Sequence, residues 1–446
     1  MILRYFLPFG IERLSVADDE AIKDITVRRP YDFCKARRTT EWMKGILGEN
    51  GLLLVEGAAH AKLRKALAPA FSTSAIKALE MRFWEKGLLL GNVIERERRV
   101  VEGHVPSVEI LDCLNWATLD IIGLAGFGLE VKSLEAPSAP LRKAYSALFA
   151  FDFVSFVVQA LRMFWGVMKY FPCEINRAMD RSEKFITQVA DDVVQSKLDK
   201  DGLCTGGKDI ISLIVKHNEA KASSPEDVLS FIDIRDQVKA FLGAGHDTTA
   251  TAVAWTIDLL SKNQCVQDRL RAEIQAASPE LSTPGVAPDP EALAATQKLD
   301  TLTYLDNVCQ ESLRFIPPIP TVIRAAAVDT RIGEHAIPAG TNIYITSNAV
   351  NRLTHYWGND ADGFNTDRWD QLPAAWVPNA YQTFLEGPRG CIGRKFAETE
   401  MKVFLCCLLA RFRFIRDCTW PDQEQRKVWR IVMRPKDGIR VLVAAV

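Results

Sequence analysis

The chain has no apolar run of eighteen or more residues among its 446, so it offers no segment that reads as an ordinary membrane-spanning helix. The nearest candidate, residues 144–171, is interrupted by Asp152, Arg162 and Lys169. Such an interrupted stretch is typical of a buried or interfacial helix. We therefore expect its apolar residues to pack against protein or to lie at a surface.

Residue patterns that form disulfides or hold zinc are also missing. The ten cysteines include no Cys-x-x-Cys pair and no regular short spacing, and no secretory signal opens the chain. Free thiols in a reducing compartment are therefore expected. None of the six histidines lies three to five residues from another, so no pair would share a helix face to bind zinc. Zinc chemistry is not expected.

An excess of one charge sign is missing too. The 55 Lys and Arg residues nearly cancel the 56 Asp and Glu residues, so no overall field would draw the protein to nucleic acid or to an anionic membrane. Any charged docking must be local. Hydrophobic residues make up 48% of the chain, which is ample for a large core. The length predicts two ordinary domains or one large composite domain.

What the chain does have is a cysteine in a glycine-rich turn. Cys391 lies in the stretch FLEGPRGCIG, residues 384–393, where glycines let the backbone approach a bound group closely. Apolar residues at helical spacing follow, so Cys391 precedes a helix N-terminus, whose amide groups and dipole favour a thiolate. A buried, inert thiol is the simpler interpretation for any one cysteine, and we expect it for the other nine.

The whole arrangement favours a metal ligand instead. Phe-x-x-Gly-x-Arg-x-Cys-x-Gly is filled by Phe384, Gly387, Arg389, Cys391 and Gly393, and it resembles the haem-ligand loop of the cytochrome P450 family. The resemblance implies that the Cys391 thiolate is the axial ligand of the iron of haem b, where it favours O–O cleavage. It also implies that Phe384, Arg389 and Gly393 contact the haem.

The resemblance covers almost all of the chain and implies one domain over residues 1–446. The expected fold is mainly α with a small β-rich subdomain, and the haem lies between a long central helix and the helix after the cysteine loop. The β-rich flank is expected from about 1–17, 322–346 and 430–446. Strands on both sides of the turn at 8–10 and strands near 322–328, 342–346 and 439–444 are expected to form one small sheet.

The long central helix is predicted from about Phe231 to Lys262, after a Ser230-x-x-Asp233 capping box. Its middle reads GAGHDTT, residues 243–249. Two glycines inside a helix cost about 1 kcal/mol each. A dinucleotide loop would need a third glycine and a preceding strand, and neither is found. Glycine here would let the helix open locally beside a groove.

Residues 244–249 resemble the signature of the family's oxygen-side helix. Simple local hydrogen bonding is the alternative interpretation for an Asp-Thr pair. The resemblance implies that Thr248, assisted by Asp247, delivers protons to the reacting dioxygen. It also implies that Ala244 contacts the haem and that Gly245 lines the substrate pocket.

Residues 56–71 predict an amphipathic helix with His60 and Arg64 one turn apart, closed by Pro69. Alone, the pattern is typical of a solvated basic face. Beside the cysteine loop it resembles the family helix that binds the haem propionates, whose buried negative charges require cationic partners. The resemblance implies that the propionate partners are His60, Arg64, Arg324 and Arg389.

A third helix is predicted from Thr303 to Phe315, with Glu311 and Arg314 on one face. A surface ion pair worth under about 1 kcal/mol is the simpler interpretation. The pair resembles the family's Glu-x-x-Arg motif, and Arg368 supplies the second arginine of that triad. The resemblance implies a structural role, in which Glu311, Arg314 and Arg368 lock the loop beneath the haem. It also assigns Ile319, Thr321 and Val322 to the substrate pocket.

The resemblance implies an oxidoreductase, a monooxygenase of the microsomal type. It would insert one oxygen atom of O2 into an apolar small molecule by hydroxylation or epoxidation, in secondary metabolism. No flavin or nicotinamide motif is present, so electrons are expected from NADPH through a separate cytochrome P450 reductase, with cytochrome b5 as a further donor. A local basic patch would steer this acidic partner; it consists of Lys62, Lys65, Arg394 and Lys395.

Microsomal members carry an anchor helix ahead of the first hairpin, so by comparison this chain begins late. The resemblance implies the cytosolic face of the endoplasmic reticulum membrane, whereas the chain as written is compatible with a soluble cytoplasmic protein in peripheral membrane contact. Three alternatives stay open: a haem-thiolate isomerase or dehydratase that needs no reductase, a non-catalytic haem-binding protein, and an inactive fragment. The intact Asp247-Thr248 pair argues against the first.

Overall fold

The computed structural model describes residues 2–7, 11–99, 106–136, 138–148, 153–198, 207–220, 228–282, 288–429 and 431–446. Helices form most of this structure. They are α1 (Asp19–Lys23), α2 (Arg37–Leu47), α3 (Gly57–Leu67), α4 (Thr73–Lys77), α5 (Glu80–Arg99), α6 (Ile110–Ile121), α7 (Pro140–Leu148), α8 (Phe153–Phe164), α9 (Glu174–Ser196), α10 (Ile210–Glu219), α11 (Phe231–Lys262), α12 (Gln264–Ala277), α13 (Pro290–Thr296), α14 (Thr303–Phe315), α15 (Ser347–Val350), α16 (Thr354–Trp357) and α17 (Arg394–Leu409).

Helix α11 is the central element of the helical body. It has 32 residues, which corresponds to about 48 Å, and α2, α6, α9, α14 and α17 pack against it. The predicted bounds are confirmed, and so is the capping box: the Ser230 hydroxyl accepts from the Asp233 amide, while the Asp233 carboxylate accepts from the Ser230 amide. Residues from all of these helices contribute to one large apolar core.

The strands lie mainly in a β-rich flank and at the C-terminal end. They are β1 (Ile2–Leu7), β2 (Ile11–Val16), β3 (Phe33–Lys35), β4 (Ser107–Glu109), β5 (Val322–Ala326), β6 (Thr330–Ile332), β7 (His335–Ile337), β8 (Asn342–Ile345), β9 (Phe412–Arg416), β10 (Lys427–Trp429), β11 (Met433–Pro435) and β12 (Arg440–Ala445). The five-stranded sheet has the order β1-β2-β8-β5-β3. Strands β1 and β2 pair as the predicted hairpin, and the expected turn at 8–10 lies outside the described residues.

The prediction that residues 439–444 join this sheet is wrong. Strand β12 pairs instead with β9 and β4 in a separate three-stranded sheet, in which Val441 lies opposite Arg416 and Val108. Its buried side chains, Val441 and Val443, belong to the large core together with Phe414 of β9. The apolar face of β12 therefore packs against the helical body, whereas the five-stranded sheet packs on a smaller core of its own.

Two shorter elements adjoin the helices of the body. Strand β4 precedes α6, and the Glu109 side chain caps α6 by accepting from the amides of Leu111 and Asp112. Helix α1 ends at Lys23 and continues as one π-helical turn, Asp24–Arg28. In the described part of the chain, no helix is both long enough and apolar enough to cross a bilayer.

Candidate active site

The loop that carries Cys391 is a tight turn held by its own backbone. The Cys391 amide donates to the Phe384 carbonyl at 2.8 Å, and the Gly390 amide donates to the Gly387 carbonyl at 3.0 Å. Gly387 has a φ of +76°, and a Cβ at this position would lie 2.1 Å from the carbonyl oxygen of Thr26. Only glycine fits a left-handed conformation with so close a backbone neighbour. The turn is therefore specific to the residue found there.

Cys391 lies just before the N-terminus of α17, as predicted, with Gly393 as the N-cap. Its side chain is exposed, yet burial raises the pKa of the thiol, against the lowering effects of the Gly393 amide, Arg64 and Arg394. A thiol that is accessible and at the same time surrounded by protein faces an internal space. A coordinated metal removes the thiol proton outright, so the raised pKa does not prevent ligation.

Other cysteines near this helix differ from Cys391. Cys309, Cys406 and Cys407 are buried and free, and burial raises the pKa of each thiol. Buried apolar surroundings make a thiol inert. These three residues therefore behave as the structural cysteines that the sequence predicts.

Four basic side chains from different elements converge near the cysteine loop; we call Lys35, Arg64, Arg324 and Arg389 the cation cluster. Strand pairing sets Lys35 of β3 opposite Arg324 of β5. Arg64 of α3 donates to the Gly390 carbonyl at 2.6 Å, and Arg389 belongs to the loop itself.

The cation cluster holds more positive charge than the protein neutralises. Glu56 pairs with Arg389 and lies 3.6 Å from the Lys35 ammonium. Arg324 is buried, and in the part of the chain that the structure describes its side chain donates one hydrogen bond, to the Ile323 carbonyl at 3.3 Å. Burial and Arg389 lower the pKa of Arg324 to about 10. Nε and Nη1 of Arg389 are buried and make no hydrogen bond within the described residues.

These unsatisfied groups fit a haem. Buried charge without a partner is strongly unfavourable, so four cations against one carboxylate indicate that anions bind here. The two propionates of haem would supply them, with the Cys391 thiolate available for the iron. Both requirements of the group are met by residues of one site, and the cluster includes three of the four residues predicted to contact propionates.

His60, the fourth predicted propionate partner, lies buried beside the cation cluster. Burial, together with Lys35 and Arg389, lowers its pKa to about 4. Its Nδ1 lies 3.2 Å from the Tyr31 hydroxyl, in the same region as Arg389, whose guanidinium stacks over the Tyr31 ring. His60 can therefore contribute a hydrogen bond to a carboxylate, while the charge comes from its neighbours.

The Glu311–Arg314–Arg368 triad is assembled and completely buried. Arg314 makes a bidentate pair with Glu311, with N···O distances of 2.8 and 2.7 Å. Arg368 Nε lies 3.7 Å from the same carboxylate, which also accepts from the Trp369 indole at 3.0 Å. The simpler interpretation, a surface ion pair, does not apply, since neither Glu311 nor Arg314 is exposed.

The triad connects to the cysteine loop through Asn351. Arg314 donates to the Asn351 carbonyl at 2.8 Å, and the Asn351 side chain accepts from the Gln382 amide at 2.8 Å and donates to the Thr383 hydroxyl at 3.0 Å. Thr383 in turn donates to the Leu313 carbonyl at 2.9 Å. Residues 382–383 lead directly into the loop, so this path supports the structural role expected for the triad.

The glycine segment of α11 differs from expectation. The helix stays α-helical through residues 243–249, so no local opening is observed. The Thr248 hydroxyl donates to the Ala244 carbonyl at 2.8 Å. A Cβ on Gly245 would lie 3.1 Å from the Ile122 side chain. The small residue at this position is thus explained by packing against Ile122, and its role in the pocket stays a prediction.

Asp247 is buried and forms an ion pair with Arg434 of β11. Sequence reasoning missed Arg434, because the two residues are 187 positions apart and no local pattern connects them. Lys35 of the cation cluster and Glu56, the carboxylate that pairs with Arg389 and Lys35, were also missed. Glu400 of α17 was missed as well: it is fully buried, and both carboxylate oxygens lack a hydrogen bond within the described structure.

The structure gives the positions of the remaining predicted residues, and their roles stay predictions. Ile319, Thr321 and Val322 are half-buried in the connection from α14 into β5. In the basic patch, Lys62 and Lys65 are exposed on α3. The other two patch residues have acidic partners, since Arg394 pairs with Glu398 at 2.8 Å and Lys395 with Asp300 at 2.9 Å.

Known proteins resemble this chain over nearly its full length. The cytochrome P450 family model matches residues 9–443. Cytochrome P450 monooxygenase sphH of Aspergillus fumigatus is 33% identical over 452 residues, which cover 98% of this chain and 80% of that protein. Cytochrome P450 monooxygenase ALT8 of Alternaria alternata is 30% identical over 510 residues, covering 100% and 83% of the two chains.

The fold is shared with a solved structure. The cytochrome P450DA heme domain has a TM-score of 0.80 over 100% of this chain and 89% of that one, at 24% identity. The chain therefore belongs to the cytochrome P450 family and is a haem b enzyme, an oxidoreductase that uses molecular oxygen on a small-molecule substrate with the help of a redox partner.

Proposed function

We propose that this monooxygenase inserts one oxygen atom of O2 into an apolar small molecule, by hydroxylation or epoxidation, with electrons from NADPH delivered by a separate reductase. The observation that carries the proposal is the pairing of an accessible cysteine in a helix-capping loop with the under-neutralised cation cluster beside it. The cysteine would bind the haem iron, and the cation cluster would bind the haem carboxylates.

When bound, haem supplies the activation of dioxygen, which no protein side chain can perform. The residues of the chain bind and orient the group. Cys391 provides the thiolate ligand, which favours O–O cleavage. Arg64, Arg324 and Arg389 neutralise the propionates, and His60 adds a hydrogen bond.

Asp247 and Thr248 are the proposed proton-delivering residues. The Thr248 hydroxyl hydrogen is engaged by the Ala244 carbonyl at 2.8 Å. Rotation about χ1 would redirect that hydroxyl away from the helix backbone. Asp247, one residue earlier on α11, can return a proton to it. A positioned acid of this kind contributes roughly 10²–10⁴-fold to a proton-transfer step.

An apolar natural product is the substrate class that we propose. The predicted pocket residues Ile319 and Val322 are apolar, and Thr321 adds one hydroxyl. An edge-to-face pair of Phe71 and Phe241 lies on the α11 side, with ring centroids 5.2 Å apart. A pocket with such a lining binds by excluding water and uses few polar groups.

A diflavin reductase that uses NADPH is the proposed electron donor, steered by the basic patch. Since Arg394 and Lys395 already pair with acidic residues, Lys65 should contribute more of the field than either. We expect Lys65→Gln to slow reduction at low salt and to have a smaller effect at high salt. A reduction rate that is indifferent to ionic strength in the unchanged protein would remove the steering hypothesis.

We propose the cytosolic face of the endoplasmic reticulum membrane as the location. Four apolar side chains in the segment after α8 are between 58% and 75% exposed: Trp165, Val167, Tyr170 and Phe171. Aromatic residues of this kind prefer a membrane interface. Replacing Trp165 and Phe171 by serine should reduce flotation of the protein with phosphatidylcholine vesicles, whereas Val446→Ser, at an exposed C-terminal residue, should not. Equal flotation of all three proteins would contradict this contact.

The function is tested first by the absorption spectrum of the reduced, carbon-monoxide-bound protein, which reports thiolate ligation. Cys391→Ser or Cys391→His should abolish the thiolate signal, and Cys407→Ser, at a buried cysteine of α17, should not. A thiolate signal that survives in Cys391→Ser would refute the assignment.

Turnover then separates the proposal from its alternatives. A monooxygenase requires NADPH and reductase; an isomerase or dehydratase turns over a peroxide alone; a haem carrier does neither. Product that contains one atom from ¹⁸O2 supports the proposal, and product without it excludes the insertion.

A further inference from the structure

A buried ion pair connects the central helix to the C-terminal hairpin. Arg434 of β11 contacts the carboxylate of Asp247, with 20% of the arginine side chain and 7% of the aspartate side chain exposed. Asp247 has the acidic side chain of the proposed proton-delivering pair. The partner of that acid is therefore a residue from the last fifteen or so positions of the chain, far from the motif in sequence.

The position of Arg434 is determined by its neighbour. The Met433 amide donates to the Pro318 carbonyl at 2.8 Å, and the Met433 carbonyl accepts from the Trp255 indole at 2.9 Å. Trp255 lies eight residues after Asp247 on α11, so the two share a helix face. With the Met433 backbone fixed on both sides, the side chain of the next residue reaches the same face of α11.

The other titratable groups near Asp247 do not supply the positive charge that Arg434 supplies. His246 precedes Asp247, is fully buried, and its Nδ1 lies 2.7 Å from the Leu242 carbonyl. Burial lowers the pKa of His246, and its ring packs edge-to-face on Tyr145 of α7, a neutral group. Among the described residues, Arg434 is the charged group that the structure pairs with Asp247.

We propose that Arg434 is a positioning residue, whose guanidinium holds the Asp247 carboxylate and thereby sets its place relative to Thr248 during proton delivery. This inference rests on the proposed function of Asp247 and Thr248. Arg434 exchanges no proton itself. It acts through the acid, and it connects proton delivery to the hairpin that β10 and β11 form, since Val428 of β10 pairs with Arg434 in the ladder.

The experiment uses the haem-loaded full chain with a diflavin reductase. Its variants are Arg434→Gln, Arg434→Lys, Asp247→Asn and the Arg434→Gln/Asp247→Asn double variant. Lys436→Gln, at an exposed cation that follows the same strand, is the matched control. Two quantities are measured: the infrared stretching band of carbon monoxide bound to the reduced protein, and the rate of NADPH oxidation in H2O and in D2O. Neither requires the natural substrate.

Arg434→Gln should shift the carbon monoxide band, because the field of nearby charged groups acts on the bound gas. It should also slow NADPH oxidation on the order of tenfold, the lower end of losses for a supporting residue. The solvent isotope effect should increase, since proton transfer becomes slower. Arg434→Lys should restore most of the carbon monoxide band position and most of the rate of NADPH oxidation. The double variant should oxidise NADPH no more slowly than Asp247→Asn does.

Several outcomes would overturn the proposal. One is an Arg434→Gln protein whose carbon monoxide band and isotope effect equal those of Lys436→Gln. Another is a double variant whose losses multiply, because independent sites behave in that way. If Arg434→Gln fails to fold, Arg434→Lys decides: a small residual band shift towards the position seen in Asp247→Asn supports the proposal, and a band equal to that of Lys436→Gln contradicts it. A failure of the proposed function looks different, since the unchanged protein would then lack the thiolate spectrum or would fail to oxidise NADPH with the reductase.

Discussion

Glu400 offers a test of the buried electrostatics that is independent of catalysis. It lies on α17, nine residues after Cys391, and is 1% exposed. Neither carboxylate oxygen has a hydrogen bond within the described residues. Burial raises the pKa of Glu400 well above its ordinary value of 4.5, and the nearby Thr249 hydroxyl offsets only part of this effect. We expect the side chain to be protonated in the folded protein.

The magnitude follows from proton linkage. Above about pH 4.5 the unfolded chain loses the Glu400 proton while the folded chain keeps it, so the folded state binds more protons. Its contribution to the free energy of unfolding then falls by about 1.4 kcal/mol per pH unit, up to the pKa in the fold. Gln does not titrate, so Glu400→Gln removes this slope. At each pH above about 5.5 that lies below the pKa in the fold, the variant should gain about 1.4 kcal/mol per pH unit relative to the unchanged protein.

The assay is thermal denaturation of the haem-loaded protein and the variant at matched scan rates across this pH range. Unfolding entropy of about 2.1 cal/mol/K per residue means that 1 kcal/mol changes the midpoint of a chain of this length by about 1 °C. The difference in midpoint should therefore rise by about 1.5 °C per pH unit. The amide hydrogens that Glu400→Gln introduces would shift the midpoint by the same amount at every pH, so they do not affect the dependence of the midpoint difference on pH. Glu398→Gln, at a more accessible carboxylate on the same helix, is the matched control.

A difference between Glu400→Gln and the unchanged protein that does not vary with pH would refute this reasoning. It would mean that Glu400 titrates at its ordinary pKa, which requires ordered water or another group to solvate the carboxylate. Infrared absorption provides a direct check, because a protonated carboxyl group has a carbonyl band that Glu400→Gln would remove.

Three other perturbations test the site. Gly387→Ala should cost about 1–3 kcal/mol and reduce haem content, because a side chain is strained at a φ of +76°; haem per protein and a denaturation midpoint measure both effects. Glu311→Gln leaves Arg314 buried with a neutral partner and should cost about 3–5 kcal/mol by denaturation, against under about 1 kcal/mol for the exposed Glu41→Gln. Glu56→Gln removes the carboxylate that pairs with Arg389 and Lys35 of the cation cluster. The stability of the apoprotein should therefore fall, while retention of haem on dilution should improve.

Elements set by local pattern were predictable, and contacts between distant elements were not. The bounds of α11 and α14 follow from apolar periodicity, a capping box and a following proline pair, all of which lie within the segment concerned. The pairing of β12 depends on which partner can bury Val441 and Val443, and that partner is set by the packed body. A period-2 pattern identifies a strand without identifying its neighbour.

The same limit applies within the site. Cys391 and the Glu311–Arg314 pair were found from short motifs, and spacing alone placed the latter on one face. The Arg434 partner of Asp247 was not found, since an ion pair across 187 residues leaves no local signal. For Gly245, the sequence indicated that a small residue is needed, but only the structure shows that Ile122 is the neighbour.

The Glu311–Arg314 pair and the cation cluster both contain buried charges, but they differ in how completely those charges are neutralised. Glu311 satisfies Arg314 through two hydrogen bonds, and backbone carbonyls of Asn351, Ala361 and Gly363 take the remaining donors. The Glu311–Arg314 pair is therefore complete and needs no ligand.

The cation cluster also contains buried arginines, but within the described residues Arg389 keeps buried N–H groups without partners and Arg324 has a weak bond to its neighbour's carbonyl. Folding alone does not favour that arrangement, because each unsatisfied charged donor costs free energy. It becomes favourable when an anion binds. We therefore propose that the incomplete cluster binds the carboxylates of the haem and that the complete Glu311–Arg314 pair helps to hold the cysteine loop in place.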